Sequence, residues 1–230
     1  MKGGNVERII WIPWPEAEAG EFIERSEQWQ TVSPKDFTII TYSAGTVNDA
    51  LREMRTGSIY MRGHGMPGSP FVTTHGKSLH ITKSIDRIIE MGLQKTFTGK
   101  IKFYSCYSAV DSVQKMRSER VTVPRVQIGP LKFGSKSVTQ EVDKSFFEGS
   151  RDCLARRGAA YFRSQSFTSC VFQGYGGPLS GKMEQKTDQE LVDGHYHKHC
   201  LTITFNEGAP VSGSDMESVG RRASAARSNF

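Results

Sequence analysis

The sequence predicts an α/β fold, a three-layer α/β/α sandwich with a mostly parallel central sheet, and three observations carry that prediction. Short runs of β-branched and aromatic residues recur along the chain, as in Ser58-Ile59-Tyr60-Met61-Arg62 and Phe103-Tyr104. Stretches of helical period lie between them, and glycine or proline marks the ends of both. Strands that alternate with helices pair in parallel and leave their loops at the two rims of the sheet.

Each element follows from local pattern. Glu7 to Trp11 and Asp36 to Thr41 have strand composition, and the stretch between them, with Pro13, Pro15 and Pro34, reads as irregular. Val47, Ala50, Leu51 and Met54 fall at i, i+3, i+4 and i+7, which predicts a short helix ending at Gly57. Ser58 to Arg62 then forms a buried strand that runs into Gly63-His64-Gly65. Phe71-Val72 and Ser78 to Ile81 form a hairpin across Gly76, and Ser84 caps a helix carrying Ile85, Ile88 and Ile89, closed by Gly92.

Lys100 to Ser105 is the next strand and delivers Cys106 at its end. Residues 118 to 140, with Pro124, Gly129, Pro130 and Gly134, read as a long excursion. A helix is predicted from Val142 to Arg157 with its stop at Gly158, followed by a strand from Cys170 to Tyr175 and a last strand from Leu201 to Phe205. Beyond Asn206 apolar periodicity ends. The expectation is therefore one domain over residues 1–206 and a poorly ordered tail over 207–230.

A chain of 230 residues with 37% apolar content can bury a core, and it holds no run of about 18 apolar residues of the kind a membrane span needs. Its start lacks the apolar stretch of a signal peptide, so the expected location is the cytoplasm or, after delivery by another route, a host cytosol. The formal charge is +6, but lysine and arginine are interspersed with acids, and the densest basic cluster, Arg221 to Arg227, sits in the Ser- and Ala-rich tail. That scatter argues against a specific nucleic-acid partner. Cys106, Cys153, Cys170 and Cys200 include no CxxC pair and suggest reduced thiols, with Cys153 and Cys170 as core filler.

In open α/β sheets, function collects outside the carboxyl ends of the strands. Gly63-His64-Gly65 and Ser105-Cys106-Tyr107 both occupy such ends. Neighbouring strands would bring imidazole and thiol together, and a nearby imidazole favours the thiolate that attacks a carbonyl. The flanking glycines let the backbone turn closely, and the amides of Gly65 and Cys106 are candidate donors to an oxyanion.

A strand followed by His-Gly, and then a strand followed by Ser-Cys, resembles the caspase–hemoglobinase class of cysteine peptidases. The resemblance spans roughly residues 37 to 177 and includes the helix and strand that follow the nucleophile in bacterial members. It implies a caspase-like domain in which Cys106 and His64 form a catalytic dyad, with the Gly65 and Cys106 amides as the oxyanion hole. It implies a protein or peptide substrate and no cofactor, in the manner of a processing protease or a delivered effector. The residues around Cys106 differ from the Gln-Ala-Cys-Arg-Gly of caspases, so cleavage after Asp is not implied.

Asp111, Asp188 and Asp193 are the candidate acids for a substrate pocket that accepts a basic side chain. Two rival readings accompany the peptidase. In one, the sheet serves as a noncatalytic interaction module. In the other, His195, His197 and His199 share one face of an extended segment and hold a transition metal. Arg221-Arg222-Ala223-Ser224 also has the pattern of a processing site or a basophilic kinase site.

Overall fold

The computed structural model describes residues 8–33, 36–111, 152–203 and 216–230, with short backbone segments at 117–121, 126–128, 131–133, 137–141, 205–206 and 209–210; side chains are described for 8–33, 36–111, 152–201 and 222–230. In chain order the first half comprises β1 (Arg8–Ile12), α1 (Gly20–Val32), β2 (Thr38–Thr41), α2 (Asp49–Glu53), β3 (Ser58–Arg62), β4 (Phe71–Thr74), β5 (Lys77–His80), α3 (Ile81–Glu90) and β6 (Lys100–Tyr104). Four short strands follow, β7 (Arg117–Val121), β8 (Val126–Ile128), β9 (Leu131–Phe133) and β10 (Ser137–Glu141). The second half holds α4 (Leu154–Ser164), β11 (Val171–Tyr175), β12 (Leu179–Glu184), α5 (Asp188–Asp193), β13 (His197–Ile203), β14 (Phe205–Asn206), β15 (Ala209–Pro210), β16 (Met216–Arg222) and β17 (Arg227–Asn229).

Six strands form the central sheet in the order β2-β1-β3-β6-β11-β17, and every pairing is parallel except that of β17 with β11. The mixed α/β class and the mostly parallel sheet are as the alternating pattern predicts. From β1 the chain steps to β2 on one side and returns to β3 on the other. In such sheets the point where strand order reverses is where ligand sites collect, and here it lies between β1 and β3.

Alternation along the strands sorts their side chains into two cores. Ile59, Met61, Ile101 and Phe103 point to one face, where Phe103 meets Phe162 of α4 and α4 packs on α3. Tyr60, Arg62 and Tyr104 point to the other, where Trp29 of α1 meets the rings of Tyr60 and Tyr104 edge-on at 5.6 and 5.0 Å. A second, antiparallel sheet, β12-β13-β16, flanks α1, and the Trp29 indole N–H donates to the Gly181 carbonyl at 2.9 Å.

Several elements depart from the sequence expectations, each for a physical reason. The stretch after Pro15 is not irregular, because α1 fills Gly20–Val32 with Phe22, Ser26 and Trp29 buried along one stripe. The stripe is thin since its middle residue, Ser26, faces the buried Arg62, whose guanidinium donates to Ser26 Oγ at 2.7 Å and to the Gly181 carbonyl at 2.9 Å. Burial pulls the pKa of Arg62 down to about 10, and stacking on Trp29 at 4.6 Å helps hold the guanidinium in place. The β4–β5 hairpin forms as expected, but α3 begins one turn before Ser84, capped by His80, whose Nδ1 accepts from the Thr82 N–H.

The helix expected over 142–157 is instead Leu154–Ser164, with Cys153 at its N-cap, while residues 142–151 lie outside the described residues. Gly158 is an interior position of that helix, not its stop. A Cβ there would lie 2.3 Å from Phe103, so the glycine lets α4 sit directly on the sheet. Gly158→Val is expected to destabilise the fold by about 1–3 kcal/mol or more, despite valine's better helix propensity, read as a lower denaturant midpoint. An unchanged midpoint would mean that α4 lies elsewhere.

The excursion at 118–140 contains backbone pairings β7 with β10 and β8 with β9. The strand expected to be last runs His197–Ile203 and is followed by three more pairings. The expected disordered tail is corrected over residues 216–230. There β16 joins the second sheet, Ala223 and Ala226 are buried, and β17 closes the edge of the central sheet. The rest of 207–230 lies outside the described residues apart from Ala209–Pro210. No described helix is long and apolar enough to cross a membrane.

Candidate active site

The register of β3 and β6 decides which residues meet at the carboxyl rim. Arg62 lies opposite Tyr104 in the last pair of the ladder, so the two strands lead into His64 and Cys106 at the same rim of the sheet. The backbones touch there: a Cβ on Gly65 would lie 2.4 Å from the Cys106 carbonyl oxygen and 2.9 Å from Ser105 Cβ. Gly65 therefore works by close approach, as its sequence context suggested. Gly63 packs against Val72 and Trp14. The backbone of His64 is fixed from the opposite side by paired hydrogen bonds with Thr73 of β4, at 2.9 and 3.0 Å.

The turn after Cys106 is tightly built. Tyr107 takes a positive φ of 55°, a conformation that costs a non-glycine residue roughly 1–3 kcal/mol and persists where its surroundings enforce it. Those surroundings are the Tyr107 N–H on the Gly177 carbonyl, the Ala109 N–H on the Tyr175 carbonyl, and Ser108 Oγ, which donates to the Phe103 carbonyl and accepts from the Tyr175 N–H. Together they tie the Cys106 turn to the end of β11. Neither the Gly65 nor the Cys106 amide donates to a backbone carbonyl among the described residues.

His64 is 46% exposed at its side chain, and its Nε2 lies 2.8 Å from Glu21 Oε1. The carboxylate accepts, so Nε2 carries the proton and Nδ1 is left with no hydrogen-bond partner among the described residues. Phe22 packs on the same imidazole at 5.0 Å. Glu21 also faces His75 at 3.7 Å and Arg25 at 3.8 Å. Sequence reading missed Glu21 because it missed α1. An acid in the first turn of a helix that follows β1 arrives at the rim where His64 stands.

Cys106 sits deeper. Its sulfur accepts from the Leu179 N–H at 3.2 Å, where β12 begins. Burial raises the thiol pKa, and the Leu179 amide, the Cys106 amide and Arg25 only partly offset that. That direction runs against the thiolate that the sequence reading expects. The other three cysteines are buried and unbridged, as core filler would be.

The acids proposed for a substrate pocket separate. Asp188 and Asp193 are exposed at the two ends of α5, and Asp193 accepts from Gln189, so neither supplies a buried charge. Asp111 follows Val110, whose carbonyl accepts the Gly68 N–H from the loop after His64. Of the three histidines, His195 and His197 keep their rings near each other, with centroids 6.5 Å apart, while His199 turns to a different partner. His199 is fully buried with Nε2 3.0 Å from Glu190, His197 lines a cavity, and His195 precedes the strand. No group of three side chains that could hold a metal ion occurs among the described residues. For Glu190, burial opposes ionisation, but the Lys186 amide, Arg222, His199 and the Thr187 amide outweigh it and hold the pKa near about 2.

The His197 cavity lies on the Tyr60 face of the sheet, has a volume of about 220 Å³, and is lined by Lys102, Lys198, Arg222 and Arg227 without a carboxylate. Burial, together with Lys198, Arg227, Lys100 and Arg8, pulls the Lys102 pKa down to about 7. A lysine whose folded pKa is depressed opposes folding below that value, and the penalty is relieved as pH rises from about 7 toward the ordinary 10.5. Lys102→Met is expected to remove a stability gain of at most about 1.4 kcal/mol per pH unit across that window, read from unfolding at several pH values. An identical pH dependence in both proteins would contradict the assignment.

Comparison with protein-family models, curated proteins and solved structures finds no match to this chain.

Proposed function

We propose that the chain is a caspase-like cysteine peptidase that cleaves peptide bonds through a Cys106 thioester. The observation that supports this most is the close approach of Gly65, the residue after His64, to the Cys106 backbone, at the rim where the parallel strands β3 and β6 both end.

In the proposed reaction the Cys106 sulfur attacks the scissile carbonyl carbon while His64 Nδ1 takes the thiol proton. The oxyanion is received by the N–H groups of Gly65 and Cys106. Collapse breaks the C–N bond, and His64 returns the proton to the departing amine. Water, deprotonated by the same imidazole, then hydrolyses the thioester. Glu21 holds Nε2–H in place, which keeps Nδ1 as the working nitrogen throughout.

Digestion of a diverse peptide library by wild type beside Cys106→Ala tests the reading: cleavage present only in the wild type supports it and reveals the preferred residue. Cleavage that survives in the variant, or cleavage by neither protein, contradicts it, and the latter result favours a noncatalytic module. Glu21→Gln is expected to lower kcat by roughly 10²-fold at little cost in KM. The loss stays below the roughly 10⁴-fold known for a buried orienting acid, because water can reach the half-exposed His64.

A further inference from the structure

The cavity lined by His197 carries chemistry that the proposed peptidase does not use. Four cationic side chains converge on it with two tyrosines, Tyr60 and Tyr175, and no acid lines its wall. Lys102, 8% exposed, donates to Tyr60 Oη at 2.8 Å. Arg222 anchors through Glu190 at 2.9 Å, so the rim of the cavity is fixed in place.

Ser224 lines the same cavity. It belongs to the 3₁₀ turn Ala223–Ala226, is exposed, and its hydroxyl makes no hydrogen bond among the described residues. It also ends the segment Arg221-Arg222-Ala223-Ser224, in which two arginines precede a serine at the spacing basophilic kinases read. The buried anchors of the turn are two alanines, so lifting it into a kinase cleft exposes little apolar surface.

We propose that Ser224 is a phosphorylation site and that its phosphate is received by the cavity lined by Lys102, Lys198, Arg222 and Arg227. In the modification step Ser224 Oγ attacks the γ-phosphorus of a kinase-bound nucleoside triphosphate. The bond to the β-phosphate oxygen breaks, the diphosphate leaves, and the hydroxyl proton passes to the kinase's base. The phosphoserine brings close to two negative charges and three acceptor oxygens to a wall of four basic side chains, where Glu190 lies behind Arg222. The modification thereby fastens the β16–β17 connection onto β6 and β13.

The test uses the full chain, a basophilic serine kinase and ATP, with the site located by mass spectrometry. The phosphoserine ³¹P resonance should titrate at least one pH unit below the value of about 6 of a solvated phosphoserine, and return toward it in Lys102→Met or Arg227→Gln. Pyrophosphate is the competing probe. It should bind the unmodified chain and lose at least tenfold in affinity once Ser224 is phosphorylated. Failure of the folded chain to accept phosphate at Ser224, an unshifted resonance, or no pyrophosphate binding to the unmodified chain would each overturn the proposal. Equal pyrophosphate binding to both forms would assign the cavity to a free anion instead.

Discussion

Replacing His64 by alanine is expected to lower kcat/KM near pH 7 by about 10⁴-fold, the upper end of what a positioned general base contributes. The reason lies in the sulfur. A cysteine with a depressed pKa keeps a reserve of thiolate and can react without its base. Burial raises the Cys106 thiol pKa, which works against such a reserve. The residual activity of His64→Ala should therefore climb about tenfold per pH unit, following the thiolate fraction, and should keep climbing past the ordinary thiol pKa of about 8.5. A pH–rate profile of the variant on a substrate found by library digestion checks this. A flat profile across pH 6–9 would mean that the sulfur is already ionised at rest.

Gly65→Ala is the second large effect. Its new methyl group would meet the Cys106 carbonyl oxygen at 2.4 Å and Ser105 Cβ at 2.9 Å, distances no side-chain rotation can relieve because the neighbours are backbone and Cβ. The His64 loop and the Cys106 turn must part, which moves one oxyanion donor out of place and costs about 10²–10³ in kcat. The same displacement strains the rim, so the melting temperature falls too. The comparison that separates the two effects is Gly76→Ala. It sits at the β4–β5 turn with φ +68° and open space around it, so its alanine is strained but remote from the sulfur. Gly76→Ala is expected to lower stability while kcat stays near wild type.

The candidate dyad was legible because strands and their terminal glycines are local signals. Ser58–Arg62 and Lys100–Tyr104 are short apolar runs, and the residues that leave them arrive at one rim wherever the strands are neighbours. Glu21 was illegible for the opposite reason. The inward stripe of α1 contains Ser26, which is buried only because Arg62 from β3 reaches it, and a partner 36 residues away leaves no periodic mark. The closing strand Arg227–Asn229 was missed likewise. Its residues are polar, and it is held by backbone pairing with β11 and by Phe230, whose N–H donates to the Phe172 carbonyl. At Gly158 the glycine was read as a helix stop, since nothing local distinguishes that from a close approach to Phe103.

These cases share one feature with the basic cavity. Arg221 to Arg227 reads in sequence as a solvated tail, and in the fold Arg222 and Arg227 face Lys102 and Lys198 across a shared space. Tertiary pairing converts an unremarkable charge run into a charged wall, which sequence periodicity does not register.

The central claim is that one thiol of four works with one imidazole, and competitive alkylation tests it most directly. Wild type and His64→Ala are treated with limiting iodoacetamide at pH 7.5, and labelling of each cysteine is quantified by mass spectrometry. The account predicts labelling concentrated at Cys106, with Cys153, Cys170 and Cys200 protected by burial, and at least a tenfold slower rate at Cys106 in the variant. Labelling of Cys106 at the same rate in both proteins, or no preference for it over the buried three, would contradict the account.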